Sequence, residues 1–441
     1  MKIPVLFIVT SLILTFSLQG ETVKDREGAV RADAKKMEGT DRWLYNDLET
    51  AFAEAEKSGK PIMVVLRCVP CLACMGIDTE LLMESGTLSS LMDEFVRVRV
   101  INANSLDLSL FQFDYDLSFS VIFLNADKTI YGRFGSWEHQ KDSQNRATSG
   151  LRQAMERSLA LHRNLERYQE SLEGKKGDPM PYRTPVDMPQ LGDRYEKELD
   201  WSGQVVKSCV HCHQIGDAIR LSYRDEGKVL PIEWIAPYPA PETIGLTFKE
   251  DPVMEIDRVE AGSPAAEAGL QSGDQIQFLE GQPLISVADV SWVLHHASST
   301  GSLDVQFSRG GATSEATISL PAGWREKSDL SRRVGTWPMR AMAFGGMKLQ
   351  DLDDDQRRRL NLSLDALALE VPHLGQYNKH GAAKRQGFQK GDIIVEIDGS
   401  SQRMTESALL ARHLLTRKPG EKVPTVVLRN GKRVELKMPI Q

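Results

Sequence analysis

One phrase occurs twice in the second half of this 441-residue chain, and no other feature constrains the fold as strongly. The first copy spans residues 262–276 and the second spans residues 381–394. Both contain a glycine, an apolar residue, two variable residues and then Gly-Asp. Both are followed by the patterns of a strand, a turn, a helix and a final hairpin. A phrase repeated in this way predicts two units of the same fold, which we place at residues 242–322 and 340–441.

The two copies resemble PDZ domains of the bacterial, HtrA-like kind. The resemblance implies that a partner's C-terminus adds a strand to the sheet edge, where backbone N–H groups of a glycine-containing loop hold its carboxylate. The corresponding peptide-binding residues would be Gly245, Leu246, Thr247, Phe248, Gly345, Gly346 and Met347. Alternatively, the two units pack within the chain or serve only as a spacer. No Gly-x-Ser-x-Gly or Gly-Asn-Ser-Gly-Gly phrase occurs, so a serine protease is not expected.

The stretch from residue 40 to residue 173 has the alternating helix and strand patterns of an α/β unit. The continuous apolar run Ile62–Leu66 is typical of a strand that is covered on both faces. A helix is predicted before it over residues 41–58, and a long helix with apolar residues on one side is predicted to close the unit from Leu151 to Leu172. Further strands are predicted over residues 95–101, 121–124 and 129–134.

Three of the five cysteines, Cys68, Cys71 and Cys74, follow the apolar strand at the point where a helix is expected to begin. This arrangement resembles the thioredoxin fold. The number of residues between the strand and each cysteine then makes Cys71 and Cys74 the redox pair, as the resemblance implies, and leaves Cys68 as an additional thiol. A thiolate at a helix N-terminus has a lowered pKa and attacks, and the cysteine one turn later resolves the mixed disulfide. Buried inert thiols and a metal or cluster site are the alternatives.

One position departs from the thioredoxin pattern. Phe119 stands where the resemblance expects a proline that faces the redox pair, and no proline lies near it. That proline normally shapes substrate docking and keeps metals out. Its absence therefore favours the metal-binding alternative.

The other two cysteines belong to the phrase Cys209-x-x-Cys212-His213, which matches the attachment signature of c-type haem. There, two thiols add to the haem vinyl groups and the histidine becomes the proximal iron ligand. A zinc site that includes His211 or His213, and a plain disulfide, are the alternatives. The segment, residues 193–241, follows a proline-rich stretch at 174–192 that is predicted to be an extended linker. A second linker is predicted at 323–339.

The N-terminus has the pattern of a secretory signal over residues 1–20. Lys2 precedes an uncharged run from Ile3 to Leu18, and the chain turns polar after Gly20. An uncleaved membrane anchor is the alternative. Either predicts export to the periplasm or the cell exterior, and no second apolar span follows. Lys and Arg number 54 against 61 Asp and Glu, a net charge of −7, which argues against nucleic acid as a partner.

Taken together, the motifs resemble exported thioredoxin-like/PDZ proteins, some of which carry selenocysteine. That resemblance implies nucleophilic redox chemistry in the first cysteine cluster, which we assign to Cys71. We predict a multidomain chain, α/β at its N-terminal end and β-rich at its C-terminal end, that exchanges thiols and disulfides and recruits proteins through PDZ grooves, with haem c as a candidate electron carrier. The alternatives are a non-catalytic PDZ scaffold and a metal chaperone that uses Cys68, Cys71 and Cys74.

Overall fold

The computed structural model describes residues 25–71, 74–83, 86, 88–135, 147–251, 254–331 and 333–441. The signal segment predicted for residues 1–20 lies outside these ranges. Within them, no helix has the length and apolar character that crossing a bilayer requires.

The first unit is a five-stranded mixed sheet with helices on both faces, in the strand order β1-β3-β2-β4-β5. Its strands are β1 (Leu44–Tyr45), β2 (Ile62–Arg67), β3 (Val96–Val100), β4 (Phe119–Leu124) and β5 (Ile130–Phe134). Its helices are α1 (Arg26–Glu38), α2 (Leu48–Ser58), α3 (Met75–Leu81), α4 (Ser89–Met92), α5 (Ser149–Arg163) and α6 (Leu165–Glu173). Strand β2 lies at the centre, parallel to β3 and antiparallel to β4. All of its residues are buried, as expected for a strand covered on both faces.

Two helices of this unit differ from their predicted bounds. The helix predicted to start at residue 41 begins at Leu48, because the Asp47 carboxylate accepts a hydrogen bond from the Thr50 N–H at 3.0 Å and caps it there. The residues before the cap form β1 instead. The long closing helix is broken at Asn164, whose φ of −125° leaves the helical region, so it forms α5 and α6.

The segments predicted to be linkers are packed. Residues 174–192 contain a 3₁₀ turn at Pro185–Asp187 and the short helix α7 (Pro189–Gly192), and Leu191 is buried with the residues on one face of the sheet. Within residues 323–339, Arg333 forms buried ion pairs with two aspartates of the first unit, Asp114 at 2.6 Å and Asp116 at 2.9 Å. Burial of apolar and paired charged groups explains why neither segment is extended.

The segment at 193–241 lies between the first unit and the last. It contains α8 (Val205–Ser208), α9 (Cys212–Asp225) and α10 (Ile232–Ile235). One side of α9, including Ile215 and Ala218, packs on the β2 face that carries Val64. Near the other end of α9, the Arg224 guanidinium donates to the Gln441 carbonyl at 2.9 Å. This packing sets the start of α9 beside the end of β2.

The two C-terminal units contain the remaining strands and helices. The first has β6 (Leu246–Phe248), β7 (Ile256–Val259), β8 (Gln275–Leu279), β9 (Gln282–Pro283), β10 (Gly301–Arg309), β11 (Ala312–Leu320), α11 (Pro264–Glu267) and α12 (Val287–His296). Helix α13 (Thr336–Phe344) leads into the second, which has β12 (Met347–Asp351), β13 (Leu369–Leu374), β14 (Ile393–Ile397), β15 (Lys422–Arg429), β16 (Lys432–Pro439), α14 (Asp354–Arg359), α15 (Ala382–Arg385) and α16 (Glu406–Thr416). Short 3₁₀ turns occur at Pro241–Ile244, Trp324–Lys327 and Asn378–Gly381.

The repeated Gly-Asp phrase has the same structural task in both units. The buried Asp274 carboxylate accepts from the Gln271 N–H at 2.8 Å and pairs with Arg309 at 2.6 Å. Asp392 repeats the arrangement with the Gln389 N–H at 2.8 Å and Arg429 at 2.7 Å. The phrase is thus retained in both copies because a buried carboxylate ties the turn before a strand to an arginine on the final hairpin.

Candidate functional site

The two cysteine clusters, treated above as separate sites, meet in one place. The Cys68 sulfur lies 3.2 Å from Nδ1 of His211. Cys68, His211, Cys209 and Cys212 all line a single, mainly aliphatic cavity. Its walls also include Val30, Leu66, Arg67, Val69, Pro70, Val100, Ile101, Ala103, Leu199, Val205, Val206 and Val210. Thiols from distant parts of the chain therefore face a common, poorly hydrated space.

The loop that carries the first cluster is fixed by Arg67, the last residue of β2. The Arg67 guanidinium donates to the carbonyls of Cys68 at 2.5 Å and Cys71 at 2.8 Å. Asp78 of α3 holds Arg67 at 3.2 Å and Arg99 at 2.7 Å. Burial raises the pKa of Asp78, but the two arginines outweigh it and hold that pKa below its usual value. The role of Arg67 was missed in the sequence, although a charged residue at the end of an apolar strand could have indicated it.

Cys74 is the thiol at the helix start, in place of Cys71. Cys74 caps α3 with a left-handed φ of 65°, and the helix proper begins at Met75. The Cys74 side chain is buried, and the Ser118 hydroxyl donates to its sulfur at 3.5 Å. Burial raises its pKa to about 11. Cys74, and not Cys71, therefore stands at the N-cap of α3.

Cys71 lies before that turn and is half-buried. Its N–H donates to the Cys68 carbonyl at 3.1 Å, which makes a tight turn between the two cysteines. Leu72 and Ala73, between Cys71 and Cys74, lie outside the described residues. Phe119 pairs with Arg67 across β4 and β2, so the residue facing Cys74 is its neighbour Ser118. A serine hydroxyl thus contacts the buried thiol near the position where a proline was expected.

The thiols that face the cavity are held in their protonated form. Burial, followed by the neighbouring Cys71, raises the pKa of Cys68 to about 12. Burial raises the pKa of Cys209 to about 11, and it also raises the pKa of Cys212. Burial, with His213 and Arg26 nearby, lowers the pKa of His211 to about 4. His211 is therefore neutral at pH 7, and its Nδ1 can accept a hydrogen bond from the Cys68 thiol.

Asn104, after β3, positions Cys209 from both sides and was also missed. Its side-chain amide donates to the Ser208 carbonyl at 2.8 Å, and its oxygen accepts from the Val210 N–H at 2.7 Å. Asn104 is fully buried. Because an unsatisfied buried amide is costly, this pairing defines where Cys209 lies. A lone asparagine in a loop gives no sequence signal for such a role.

The predicted haem ligands do not face one space. His213 does not line the cavity that contains Cys209 and Cys212; its Nδ1 lies 3.4 Å from the Asp217 carboxylate. Its ring stacks on His211 with 5.9 Å between centroids. The residues as arranged do not fit a haem that is bonded to both thiols and to His213, so haem attachment stays a prediction. Across the described ranges, no three His, Cys, Asp or Glu side chains are grouped so that they could hold a metal ion.

The predicted carboxylate loops have partners within the chain. The Gly245 N–H donates to the Glu242 carbonyl at 3.0 Å. In the second unit, the N–H groups of Gly345 and Gly346 donate to carbonyls at the end of α13, at 3.1 and 3.0 Å. Gly245, Gly345 and Gly346 all have positive φ, as glycine permits. A ligand carboxylate would have to bind through other N–H groups of these loops or displace these bonds.

The strands next to these loops are edge strands in both units: among the described strands, β6 pairs only with β7 and β12 only with β13. Leu246 and Met347, at the start of these strands, are both buried. The edges differ at Leu349 of β12, whose N–H already donates to the Glu406 carboxylate at 2.7 Å. The first unit is therefore the better candidate for strand addition.

Comparison with protein-family models identifies the units. The thioredoxin-like model matches residues 43–126, and the PDZ domain model matches residues 243–320 and 359–440. This chain therefore contains one thioredoxin-like domain and two PDZ domains, which confirms the predicted fold class and architecture.

Curated relatives match over a limited part of their length. A probable periplasmic serine endoprotease, DegP-like, of Pseudomonas fluorescens is 26% identical over 157 residues, which are 35% of this chain and 32% of the relative. A protein of the same description from Marinomonas is 28% identical over 176 residues, 40% of this chain and 34% of the relative. The chain thus spans about a third of the length of these relatives.

Solved structures also match in part. The HtrA-type protease AlgW with a decapeptide shares 22% sequence identity with a TM-score of 0.20, over 32% of this chain and 44% of that one. AlgW with a tripeptide shares 22% identity with a TM-score of 0.19, over 30% and 41% of the two chains.

Proposed function

We propose that this chain is an exported thiol–disulfide exchange protein whose PDZ domains bring protein partners to its cysteines. One observation carries the proposal: a thioredoxin-like sheet ends at Arg67 and presents the half-buried Cys71 before the buried Cys74. The Arg67 guanidinium holds the cysteine loop through two backbone carbonyls. A fixed backbone and a thiol that is not fully buried are what attack on a protein disulfide requires.

The reaction has two steps. The Cys71 thiolate attacks one sulfur of a partner disulfide, forms a mixed disulfide and releases the other partner sulfur as a thiolate. Cys74 then loses its proton and attacks the Cys71 sulfur, which frees the partner's second thiol and leaves a Cys71–Cys74 disulfide. Two electrons pass to the partner. The raised pKa of Cys74 suits the resolving thiol, because a protonated Cys74 does not compete with Cys71 for the first attack.

The PDZ domains supply the binding step in this proposal. PDZ domains bind C-terminal segments by strand addition, and the bond from the Leu349 N–H to Glu406 on the edge of β12 favours the first domain for that purpose. The partner peptides would contact Gly245, Leu246, Thr247 and Phe248, with Gly345, Gly346 and Met347 as the weaker second site. A location in the periplasm is supported by the periplasmic relatives and by the signal pattern of residues 1–20.

A non-catalytic PDZ scaffold is the second candidate. The observation that favours it is the raised pKa of Cys68 and Cys74, which makes both thiols weak nucleophiles at pH 7. In a scaffold, Cys71 would have no redox task and the chain would capture partner C-termini without altering their disulfides.

Trapping of the mixed disulfide separates the two candidates. With a disulfide-bonded protein as the probe, Cys68→Ser/Cys74→Ser should accumulate a covalent complex through Cys71, because both thiols that could resolve it are missing. The matched control is the triple variant Cys68→Ser/Cys71→Ser/Cys74→Ser, which should form no such complex. The readout is a non-reducing gel followed by mass spectrometry of the linked peptides. Equal trapping by the triple variant would contradict the assignment of Cys71.

A further inference from the structure

We propose that Cys209 and Cys212 are the internal disulfide-exchange partner of the thioredoxin-like cysteines, with Cys68 as the thiol that links the two pairs. The contact between Cys68 and the segment that carries Cys209 and Cys212 is inferred from the geometry alone. Its role in passing electrons onward rests on the function proposed above for Cys71.

The first support is that the chain brings the two pairs to one cavity from different domains. Cys68 follows β2 of the thioredoxin-like domain, and Cys209 and Cys212 border α9 of the intervening segment. All three cysteines line the same cavity. Asn104 fixes Cys209 and packing of Ile215 on the sheet fixes α9, so this meeting is built into the fold.

The second support is the contact of His211, which lies between Cys209 and Cys212 in the sequence, with Cys68. Its Nδ1 lies 3.2 Å from the Cys68 sulfur, within hydrogen-bonding range for a thiol. Besides Cys68, the ionisable groups that act on it are His213 on α9 and Arg26 on α1. The hydrogen bond joins the Cys68 thiol to the residue that lies between Cys209 and Cys212 in the sequence, and so fixes the first cluster against the second pair.

The third support is the spacing of reactive groups along the loop. Cys71 is one tight turn from Cys68, since its N–H donates to the Cys68 carbonyl at 3.1 Å. Cys68 can therefore form a disulfide on one side with Cys71 and on the other with the second pair. Without such a link, an additional cysteine upstream of a redox pair would have no assigned task.

The exchange step is balanced within the chain. Once Cys71 and Cys74 have formed a disulfide, Cys68 loses its proton and attacks the Cys71 sulfur; the Cys71–Cys74 bond breaks, a Cys68–Cys71 bond forms, and Cys74 leaves and is protonated. Cys212 then attacks Cys68 and releases Cys71, and Cys209 attacks Cys212 and releases Cys68. Two electrons and the two thiol protons of Cys209 and Cys212 pass to Cys71 and Cys74, a Cys209–Cys212 disulfide is left, and no outside reactant is needed.

The test is a set of full-length variants that each retain two cysteines. Cys71→Ser/Cys74→Ser/Cys209→Ser leaves Cys68 and Cys212. The matched control Cys68→Ser/Cys71→Ser/Cys209→Ser leaves Cys74 and Cys212. After mild oxidation with oxidised glutathione and alkylation, unreduced digests are read by mass spectrometry. The first variant should form an internal disulfide about tenfold faster or more than the control, because only its thiols share the cavity.

A second measurement covers the case in which these variants fold poorly. The wild-type chain is reduced, oxidised for increasing times and quenched, and its disulfides are mapped. The proposal expects Cys209–Cys212 and a transient Cys68–Cys212 species. It is overturned by equal rates in the two variants, by thioether-linked haem on Cys209 and Cys212, or by a wild-type map in which Cys68 never bonds to either.

The failure of this proposal and the failure of the proposed function are distinguishable. If Cys68 and Cys212 cross-link rapidly but Cys68→Ser/Cys74→Ser traps no partner through Cys71, the internal contact stands and the external function fails. If Cys68→Ser/Cys74→Ser traps partners while Cys68 and Cys212 do not cross-link, the external function stands and the internal partnership is wrong.

Discussion

Cys68 and Cys71 lie on a loop fixed by buried charges, whereas Cys209 and Cys212 are fixed by an amide and by apolar packing between domains. Arg67 and Asp78 tie the first cluster to its own domain, at 3.2 Å. Asn104 of the thioredoxin-like domain ties the second pair to that domain, although Cys209 and Cys212 lie outside it in the sequence. The difference suggests that the first cluster keeps its shape by itself, and that the second depends on how the intervening segment docks. Each of the following variants tests one side of that comparison.

The largest effect is expected for Asp78→Asn. Asp78 is the common partner of two buried arginines, so its loss leaves Arg67 without its charge partner and Arg99 with Asp33 alone. We expect the free energy of unfolding to fall by about 3 kcal/mol or more. Urea denaturation measures it. The control Asp93→Asn removes an exposed carboxylate that pairs with Arg42 and Arg97 and should cost under about 1 kcal/mol. Equal losses in the two variants would show that the buried network does not hold the loop.

Asn104→Ala should have a smaller effect on stability and a selective effect on the second pair. It leaves the Ser208 carbonyl and the Val210 N–H without their partner, which should cost about 2 kcal/mol. The cross-link between Cys68 and Cys212 should slow, while partner trapping through Cys71 should persist. Asn164→Ala, at an exposed helix break, serves as the control for stability. A variant that slows both reactions equally would contradict separate positioning of the two pairs.

The smallest effect concerns pH and His211. Because its pKa is lowered to about 4 in the folded chain, the unfolded chain binds a proton first as the pH falls from about 6.5. Stability contributed by the neutral imidazole is thus fully present near pH 7 and is lost between about pH 6.5 and pH 4. His211→Gln should lose less stability over this window than the wild type, as measured by urea midpoints. Parallel losses would mean that His211 is not buried as a neutral group.

Features that depend on a few neighbouring residues could be predicted from the sequence. The apolar run of β2 and the repeated Gly-Asp phrase each act within a few residues, so the thioredoxin-like and PDZ units could be predicted. The start of α3 could not, because a left-handed Cys74 has no sequence signature. A helix was expected from residue 41, but it begins at Leu48 because the Asp47 side chain caps it there, and that cap was missed in the sequence.

The meeting of the two cysteine clusters lay beyond local reasoning. It depends on α9 packing against one domain and, through Arg224, on the other. The roles of Asn104 and His211 follow from that docking and not from their neighbours in the chain. The same holds for the supposed linkers, whose burial comes from contacts such as Arg333 with Asp114.

The most direct measurement of the central claim is the rate at which the reduced, full-length chain reduces a disulfide-bonded protein, compared between wild type and Cys71→Ser. The account predicts that the substitution removes exchange, since Cys74 is buried and Cys68 lines the internal cavity beside His211, so Cys71 is the thiol placed to meet a partner disulfide. An unchanged rate in Cys71→Ser would contradict it.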